Sequence, residues 1–422
     1  MPNTRKNLWQ GAALLEIIDA LQEMLNRYGE NGVAVFARKK GLRGYAWENG
    51  AKSFSAEANE IPLFKEEECL EIRLMGGVQR EFVTHSVHAL QQVLESPCSS
   101  SRMFLIPSYF PWESFTDLPM VVREPLEEKF FRLPAPSVNA LGCGGSGLRF
   151  CENEAERIED AIQAIMKKMR DGQCYLMNYT TRVPVALGAE RTFSASTFLH
   201  AWLNEPTRFG GFIKIENTNC GAMIFSPERF VAIRDGHVVT EPIKGTAVAK
   251  NGAAPTFADA QKLWNTEKEI CEHTMVVDLL RNDLNGVCEP GSVKVWRAFF
   301  AGIAGNLLQM QSTLGGTLRE NQNAGSVLGS MLPGGSVTGT PKWRVCELTQ
   351  VLEPHRRGYY TGVFGVAEPG GNMDSALLIR SLFLENGALS AGVGAGITTL
   401  SSPKSEVREF EVKWNAFARR LS

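Results

Sequence analysis

Lys244 stands in the tight run Pro242-Ile243-Lys244-Gly245-Thr246, sixteen positions after Glu228 of Ser226-Pro227-Glu228-Arg229-Phe230. A lysine between a proline-led bend and a glycine has little side-chain cover, and a modest environment can depress its pKa enough to make it a nucleophile. This run is the strongest single pointer to chemistry in the chain.

Carboxylates form a second pattern. Glu269, Glu272 and Asp283 fall with Val276 roughly on one side of a helix expected from Thr266, and Glu406, Glu409 and Lys413 recur at helical spacing near the C-terminus. The ordinary reading of each is a solvated face, with Glu409 and Lys413 as a surface i,i+4 ion pair. The two faces could instead converge on a hard cation, which at a small-molecule site would usually be Mg2+ held by one or two carboxylates, substrate oxygens and water.

Two glycine-rich stretches could bind an anion through backbone N–H groups. Leu332-Pro333-Gly334-Gly335-Ser336-Val337-Thr338-Gly339-Thr340-Pro341-Lys342 runs into an expected helix N-terminus but lacks the Gly-Lys-Ser/Thr ending of a phosphate loop. It reads equally as a plain turn with an N-cap. Gly394-Ala395-Gly396 either offers donors to a carboxylate or marks a strand end where another backbone comes close.

The elements that must position these residues follow from periodicity. Ile158, Ile162, Ile165 and Met169 predict a helix over 153–170, stopped by Asp171-Gly172 and followed by a short strand ending near Tyr179. Thr266-Glu267-Lys268-Glu269 predicts a capping box opening a helix to about Leu284, and Pro341 starts another through Leu352. Strands are expected over 212–246 and 359–397, and a closing helix from Ser402-Pro403 to Arg420 carries the stripe Val407, Phe410, Trp414, Phe417. Near the N-terminus an amphipathic helix over 8–25, interrupted by Glu16, Asp19 and Glu23, precedes antiparallel strands with turns at Lys40-Gly41 and Asn49-Gly50. The glycine-dense run 141–147 marks a boundary or long connection, dividing residues 1–150 from 151–422. Strand runs broken by helices without regular alternation favour α+β over a doubly wound sheet.

Composition narrows the function class. The 422 residues, 44% hydrophobic, can bury a large core, and a formal charge of −2 without basic blocks gives no field for nucleic acid or a membrane surface. A small-molecule ligand is expected. Nine scattered cysteines without a Cys-x-x-Cys pair read as reduced thiols of a cytoplasmic protein, and Cys271 and His273, two apart on one helix, read as structural.

Taken in order over about 155–420, the motifs resemble those of the chorismate-utilising enzymes, nearest to the aminodeoxychorismate-forming branch. They are Tyr175 with Asn178 and Arg182, the Glu228 and Lys244 runs, Glu272 with 275–283, and the loop at 334–342. Arg357-Gly358 with Tyr360 and Gly362, Asp374 with Ile379-Arg380, Gly394 to Ile397, and Glu406, Glu409 and Lys413 complete the set. The resemblance implies two antiparallel β-sheets packed as a sandwich flanked by helices, with residues 1–150 a divergent part of that fold. It implies that Lys244 is the nucleophile, where anthranilate synthases have alanine, and that Glu228 is the general acid. Glu272 and Glu409 would hold Mg2+, and Thr246, Tyr360, Arg380, Gly394, Gly396 and Lys413 would bind chorismate. A glutamine amidotransferase subunit would supply ammonia.

Several positions depart from the family pattern. Gln309 replaces a histidine three residues before Ser312-Thr313, so an amide that cannot move protons stands where an imidazole is usual. Leu176, Gln173, Glu241 and Lys250 also depart, and all are expected on or near the site. Three readings follow: formation of 4-amino-4-deoxychorismate, another chorismate conversion of the isochorismate, anthranilate or 2-amino type, and a binding subunit without turnover.

Overall fold

A computed structural model of the chain describes residues 12–40, 44–45, 54–55, 69–108, 115–134, 152–187, 192–215, 217–248, 255–304 and 307–420. The glycine-dense run 141–147 and Lys250 lie outside these residues.

Two sheets built from antiparallel pairs dominate. Neighbour by neighbour, the nine-stranded sheet runs Gly339–Thr340, Leu176–Pro184, Ala388–Ile397, Leu382–Glu385, Gly221–Ile224, Phe209–Lys214, Val33–Lys40, Cys69–Gly76, Glu127–Pro134. The twelve-stranded sheet runs Phe54–Ser55, Gly44–Tyr45, Lys294–Ala304, Leu307–Thr317, His237–Glu241, Arg229–Arg234, Met373–Leu377, Val363–Ala367, Arg102–Ile106, Phe115–Glu124, Arg80–Ser86, with Ile243–Val248 also paired to Leu307–Thr317. Strands from the first 134 residues thus hydrogen-bond into both sheets beside strands from beyond residue 175.

The strand Val33–Lys40 explains the layering. Val33, Val35 and Ala37 point into a core shared with helices Ala12–Tyr28, Glu152–Arg170, Ala195–Asn204, Lys342–Leu352 and Pro403–Ala418. Ala34 and Phe36 point the other way, onto Met103, Leu105, Phe364 and Val366 of the second sheet. Side chains alternate across a strand, so its unbroken apolar run means that both faces are covered. A third core seats helices Val87–Glu95, Glu267–Asn285 and Ala324–Met331 on the outer face of the twelve-stranded sheet. The order of layers is helices, sheet, sheet, helices, as the family resemblance implies.

The predicted helices form with small shifts: Ile158, Ile162, Ile165 and Met169 are buried along Glu152–Arg170, as are Val407, Phe410, Trp414 and Phe417 along Pro403–Ala418. The strand expected to end near Tyr179 continues to Pro184, because Ala388–Ile397 pairs with it from Met177 to Pro184. The capping box predicted at Thr266 does not close. Thr266 is the N-cap without a side-chain cap bond, and its hydroxyl donates instead to the Lys262 carbonyl at 3.0 Å. Among the described residues no helix is long and apolar enough to cross a membrane.

Candidate active site

A cleft walled by both sheets and by the helices Glu267–Asn285 and Pro403–Ala418 brings most of the predicted residues together. Lys244, Glu228, Thr246, Glu272, Glu409, Tyr360, Arg380, Gly394, Gly396 and Lys413 all line it, joined by Asn178, Glu269, Gln309 and Ser336.

Lys244 is placed by a bulge. Lys244 pairs with Met310 and Thr246 with Gln309, the register slipping at Gly245. Gly245 has φ +75, and a side chain there would meet Glu269 Oε2 at 2.9 Å, so conformation and space both require glycine. The slip brings Thr246 and Gln309 opposite one another at the cleft wall. Burial lowers the Lys244 pKa, with help from the Lys413 charge and against the pull of Glu272, Glu228 and Glu409.

Glu228 precedes the strand Arg229–Arg234. Its N–H donates to Ser226 Oγ at 3.2 Å and its carbonyl accepts from Leu377 N at 3.2 Å, pinning the backbone. The side chain is buried, which raises its pKa, partly offset by the Ser336 hydroxyl, Lys244, the Ile243 N–H and Arg380. Both shifts run toward the uncharged forms of the amine and the acid. That is the state in which a nucleophile and a general acid can act together.

The acidic face of Glu267–Asn285 is not solvated. Glu272 and Asp283 are buried, with Asp283 held by Lys342 Nζ at 2.6 Å. That ion pair also takes Lys342 out of play, and the glycine loop serves the cleft instead through Ser336 and Val337 of the 3-10 turn Gly335–Val337. Gly396 makes room for Glu272: a Cβ on Gly396 would stand 2.4 Å from Glu272 Oε2. Gly394 presents a carbonyl, accepting from Lys413 Nζ at 2.9 Å. Lys413 also pairs with Glu409 at 2.6 Å, so the predicted ion pair exists and lies on the cleft wall. Against burial, Lys413 and Lys268 hold the Glu409 carboxyl down at about 2.

Two charged neighbours were read in the sequence only for other features, Lys268 within the expected capping box and Glu269 on the acidic face. Lys268 Nζ lies 3.0 Å from Glu272 Oε1, 2.8 Å from Glu406 Oε1 and 3.6 Å from Glu409 Oε2. Burial opposes its charge, but Glu272, Glu409 and Glu406 outweigh burial and raise its pKa. Glu269 carries a carboxyl pushed up to about 7 by burial and by Glu272. The i,i+4 spacing of Lys268 and Glu272 was the available signal.

Arg380 completes the cationic wall, and Arg357 braces the backbone behind it. Arg380 has φ +51, a conformation a non-glycine residue holds only when its surroundings impose it, and burial with the nearby Arg420 brings its pKa down to about 10. Arg357, buried and paired with Glu353 at 2.8 Å, donates to the carbonyls of Val337 at 2.6 Å and Asn178 at 2.8 Å. It thereby ties the Ser336 turn to the strand carrying Asn178.

Of the departures, Gln309 alone lines the cleft among the described residues, and its buried Nε2 has no hydrogen-bond partner. Leu176 is in the core behind the site, Gln173 accepts from Arg344 at the surface, and Glu241 joins Arg229, Gln311 and Thr313 in a buried network. These three were expected near the site and are structural instead. His273, also structural, shares 2.6 Å with Ser312 Oγ.

The cleft carboxylates are the kind of oxygen donor a hard cation takes. With Glu228 and Lys244 uncharged, Glu269, Glu272 and Glu409 line the cleft against Arg380 and Lys413, so a dianionic ligand would gain from added positive charge. Lys268 lies off the hydrogen-bonding line of Glu272 Oε1, and that oxygen and Glu406 Oε2 are buried without hydrogen-bond partners. Among the described residues no three such ligands converge closely enough to hold an ion as they stand, and the Lys268 ammonium lies between them.

Comparison with known proteins places this geometry. The family model described as chorismate binding enzyme matches residues 146–419. The chain belongs to that family. It is 35% identical over 270 residues to aminodeoxychorismate synthase component 1 of Salmonella typhimurium, covering 62% of this chain and 57% of the relative. It is 30% identical over 293 residues to anthranilate synthase component 1 of Thermus thermophilus, covering 68% and 61%. A 2-amino-4-deoxychorismate synthase of Streptomyces globisporus is 38% identical over 191 residues, covering 45% and 38%. In fold the chain is similar to an anthranilate synthase component I structure from Streptococcus pneumoniae, TM-score 0.62 at 19% identity, covering 99% of this chain and 95% of that one.

Proposed function

We propose that this protein converts chorismate and ammonia to 4-amino-4-deoxychorismate. The observation that carries the reading is Lys244, a cleft-lining lysine with a lowered pKa facing a buried acid, Glu228, whose pKa is raised. The neutral Lys244 amine attacks C2 of the chorismate ring. The ring double bonds shift, and the C4 hydroxyl leaves as water with the proton of Glu228. Ammonia then attacks C4, the double bonds shift back, and the C2–N bond breaks to release Lys244. The net change exchanges hydroxyl for amine with loss of one water.

Arg380, Lys413, Tyr360 and Thr246 are suited to hold the two carboxylates and fix the ring for attack, since charge-assisted bonds to a dianion orient as well as bind. Mg2+ would be held by Glu272 and Glu409, and when bound it supplies positive charge against the ring carboxylate. Ammonia would come from a glutamine amidotransferase partner, in keeping with the component 1 naming of the relatives.

Gln309 favours one second reading. Its unpaired amide and the likeness to the Streptomyces 2-amino-4-deoxychorismate synthase support amination at C2, with ammonia in place of Lys244 as nucleophile. Incubation with chorismate, Mg2+ and ammonium, with and without an aminodeoxychorismate lyase, separates the two. p-Aminobenzoate formed only with the lyase supports the first reading. A 2-amino product, anthranilate or isochorismate overturns it, and chorismate bound but unchanged marks a subunit without turnover.

A further inference from the structure

Lys268 occupies an unusual position. It is the second residue of the helix Glu267–Asn285, where the helix dipole disfavours a cation. Nothing about helix formation calls for lysine there. Its Nζ is within 3.6 Å of three carboxylates contributed by two helices, Glu272 from its own and Glu406 and Glu409 from Pro403–Ala418. Glu406 is 2% exposed and keeps a buried Oε2 without a hydrogen-bond partner, so one ammonium does not satisfy the cluster. The Lys268 side chain is 18% exposed, which leaves a route by which its flexible stem can withdraw to solvent.

We infer that Lys268 is a resident counter-cation: it holds the Glu272, Glu406 and Glu409 carboxylates together until a divalent cation enters, and it is displaced by that cation. This rests on the divalent-cation part of the proposed function and adds a residue that sets metal affinity. Without the lysine, three carboxylates facing one another would repel and open the N-terminal ends of the two helices. With it, the ligands stay gathered, at the cost of weaker metal binding. Exchange of one charge for two would leave the cluster better neutralised and the lysine head in water, where it no longer repels the ion.

Magnesium chloride titrated calorimetrically into the full chain, with and without chorismate, tests this. Lys268→Met is expected to bind Mg2+ at least about tenfold tighter than the unaltered protein, or about 1.4 kcal/mol. It should melt at a lower temperature in chelator and recover when Mg2+ saturates. Lys268→Arg, which keeps the charge, should bind no tighter than the unaltered protein. A test free of substitutions is amine acylation read by peptide mass spectrometry, in which Lys268 labelling should rise several-fold when Mg2+ is added. Equal or weaker Mg2+ binding by Lys268→Met, or labelling indifferent to Mg2+, overturns the exchange while leaving the metal site standing. Mg2+ binding by none of the proteins, with or without chorismate, removes the metal reading and the exchange with it.

Discussion

Gly396→Ala makes the sharpest test of how the cleft is built. The new methyl carbon would stand 2.4 Å from Glu272 Oε2, against a practical limit of 3.0 Å, so something must give by at least 0.6 Å. The strand cannot easily yield, because Gly396 is locked in register opposite Asn178 within the continuous Met177–Pro184 pairing. Glu272 is therefore the group that moves, and it is buried and is one of the two carboxylates proposed to hold the metal. A misplacement of about 1 Å can cost roughly 100-fold in rate, so a shift of 0.6 Å or more should lower kcat/KM for chorismate by about 10- to 100-fold, with a higher Mg2+ concentration needed for half-maximal rate. Overpacking should cost about 1–3 kcal/mol of stability, too little to unfold a chain of this size. Gly394→Ala is the control. Its Cβ would meet Thr180 Cγ2 and the Tyr179 carbonyl at 3.0 Å, contacts relieved by a few tenths of an ångström. Its loss should stay under about tenfold. Steady-state chorismate consumption with ammonium, alongside thermal melts, gives both quantities. If Gly396→Ala costs no more activity than Gly394→Ala, the reasoning fails.

Three further outcomes follow from the site and its supports. Glu228→Gln, which keeps shape but removes the proton, should lower turnover by roughly 100-fold or more while chorismate still binds, as measured by calorimetry. Arg357→Met leaves the buried Glu353 with the Thr180 N–H but without its counter-ion and frees the Val337 and Asn178 carbonyls, and urea unfolding should show a loss of about 3–5 kcal/mol. His355 has its pKa lowered to about 4 by burial and by Arg182, Arg357 and Arg157. Between pH 6.5 and 4 the unfolded chain therefore takes up a proton that the folded one refuses, and stability falls as pH drops through that window. The slope is at most about 1.4 kcal/mol per pH unit, and His355→Gln should flatten it in urea titrations at pH 7, 6 and 5.

Much of the fold was legible because burial leaves a periodic trace. The stripe from Ile158 to Met169 and the one from Val407 to Phe417 had to face a core, and both do. What periodicity could not give was which polar residues are buried. Glu272 and Asp283 read as a solvated face because sequence cannot show that the Lys268 and Lys342 cations lie within 3.0 Å of them. Glu241 departs from the family pattern and looked like a site change. Three dimensions make it the hub of a buried network with Arg229, Gln311 and Thr313 instead. Lys244 and Gln309 could be singled out in one dimension, but that a bulge at Gly245 sets Gln309 against Thr246 could not, since strand register depends on partners 60 residues away.

The central claim is that Lys244 bonds to the ring. Intact-protein mass spectrometry after mixing with chorismate and Mg2+ without ammonia tests it most directly. The account predicts a species heavier by chorismate less one water, mapped by proteolysis to the peptide bearing Lys244, absent from Lys244→Ala and discharged to 4-amino-4-deoxychorismate on adding ammonium. Ammonium-dependent formation of that product by Lys244→Ala at the unaltered rate, with no adduct on either protein, would contradict it.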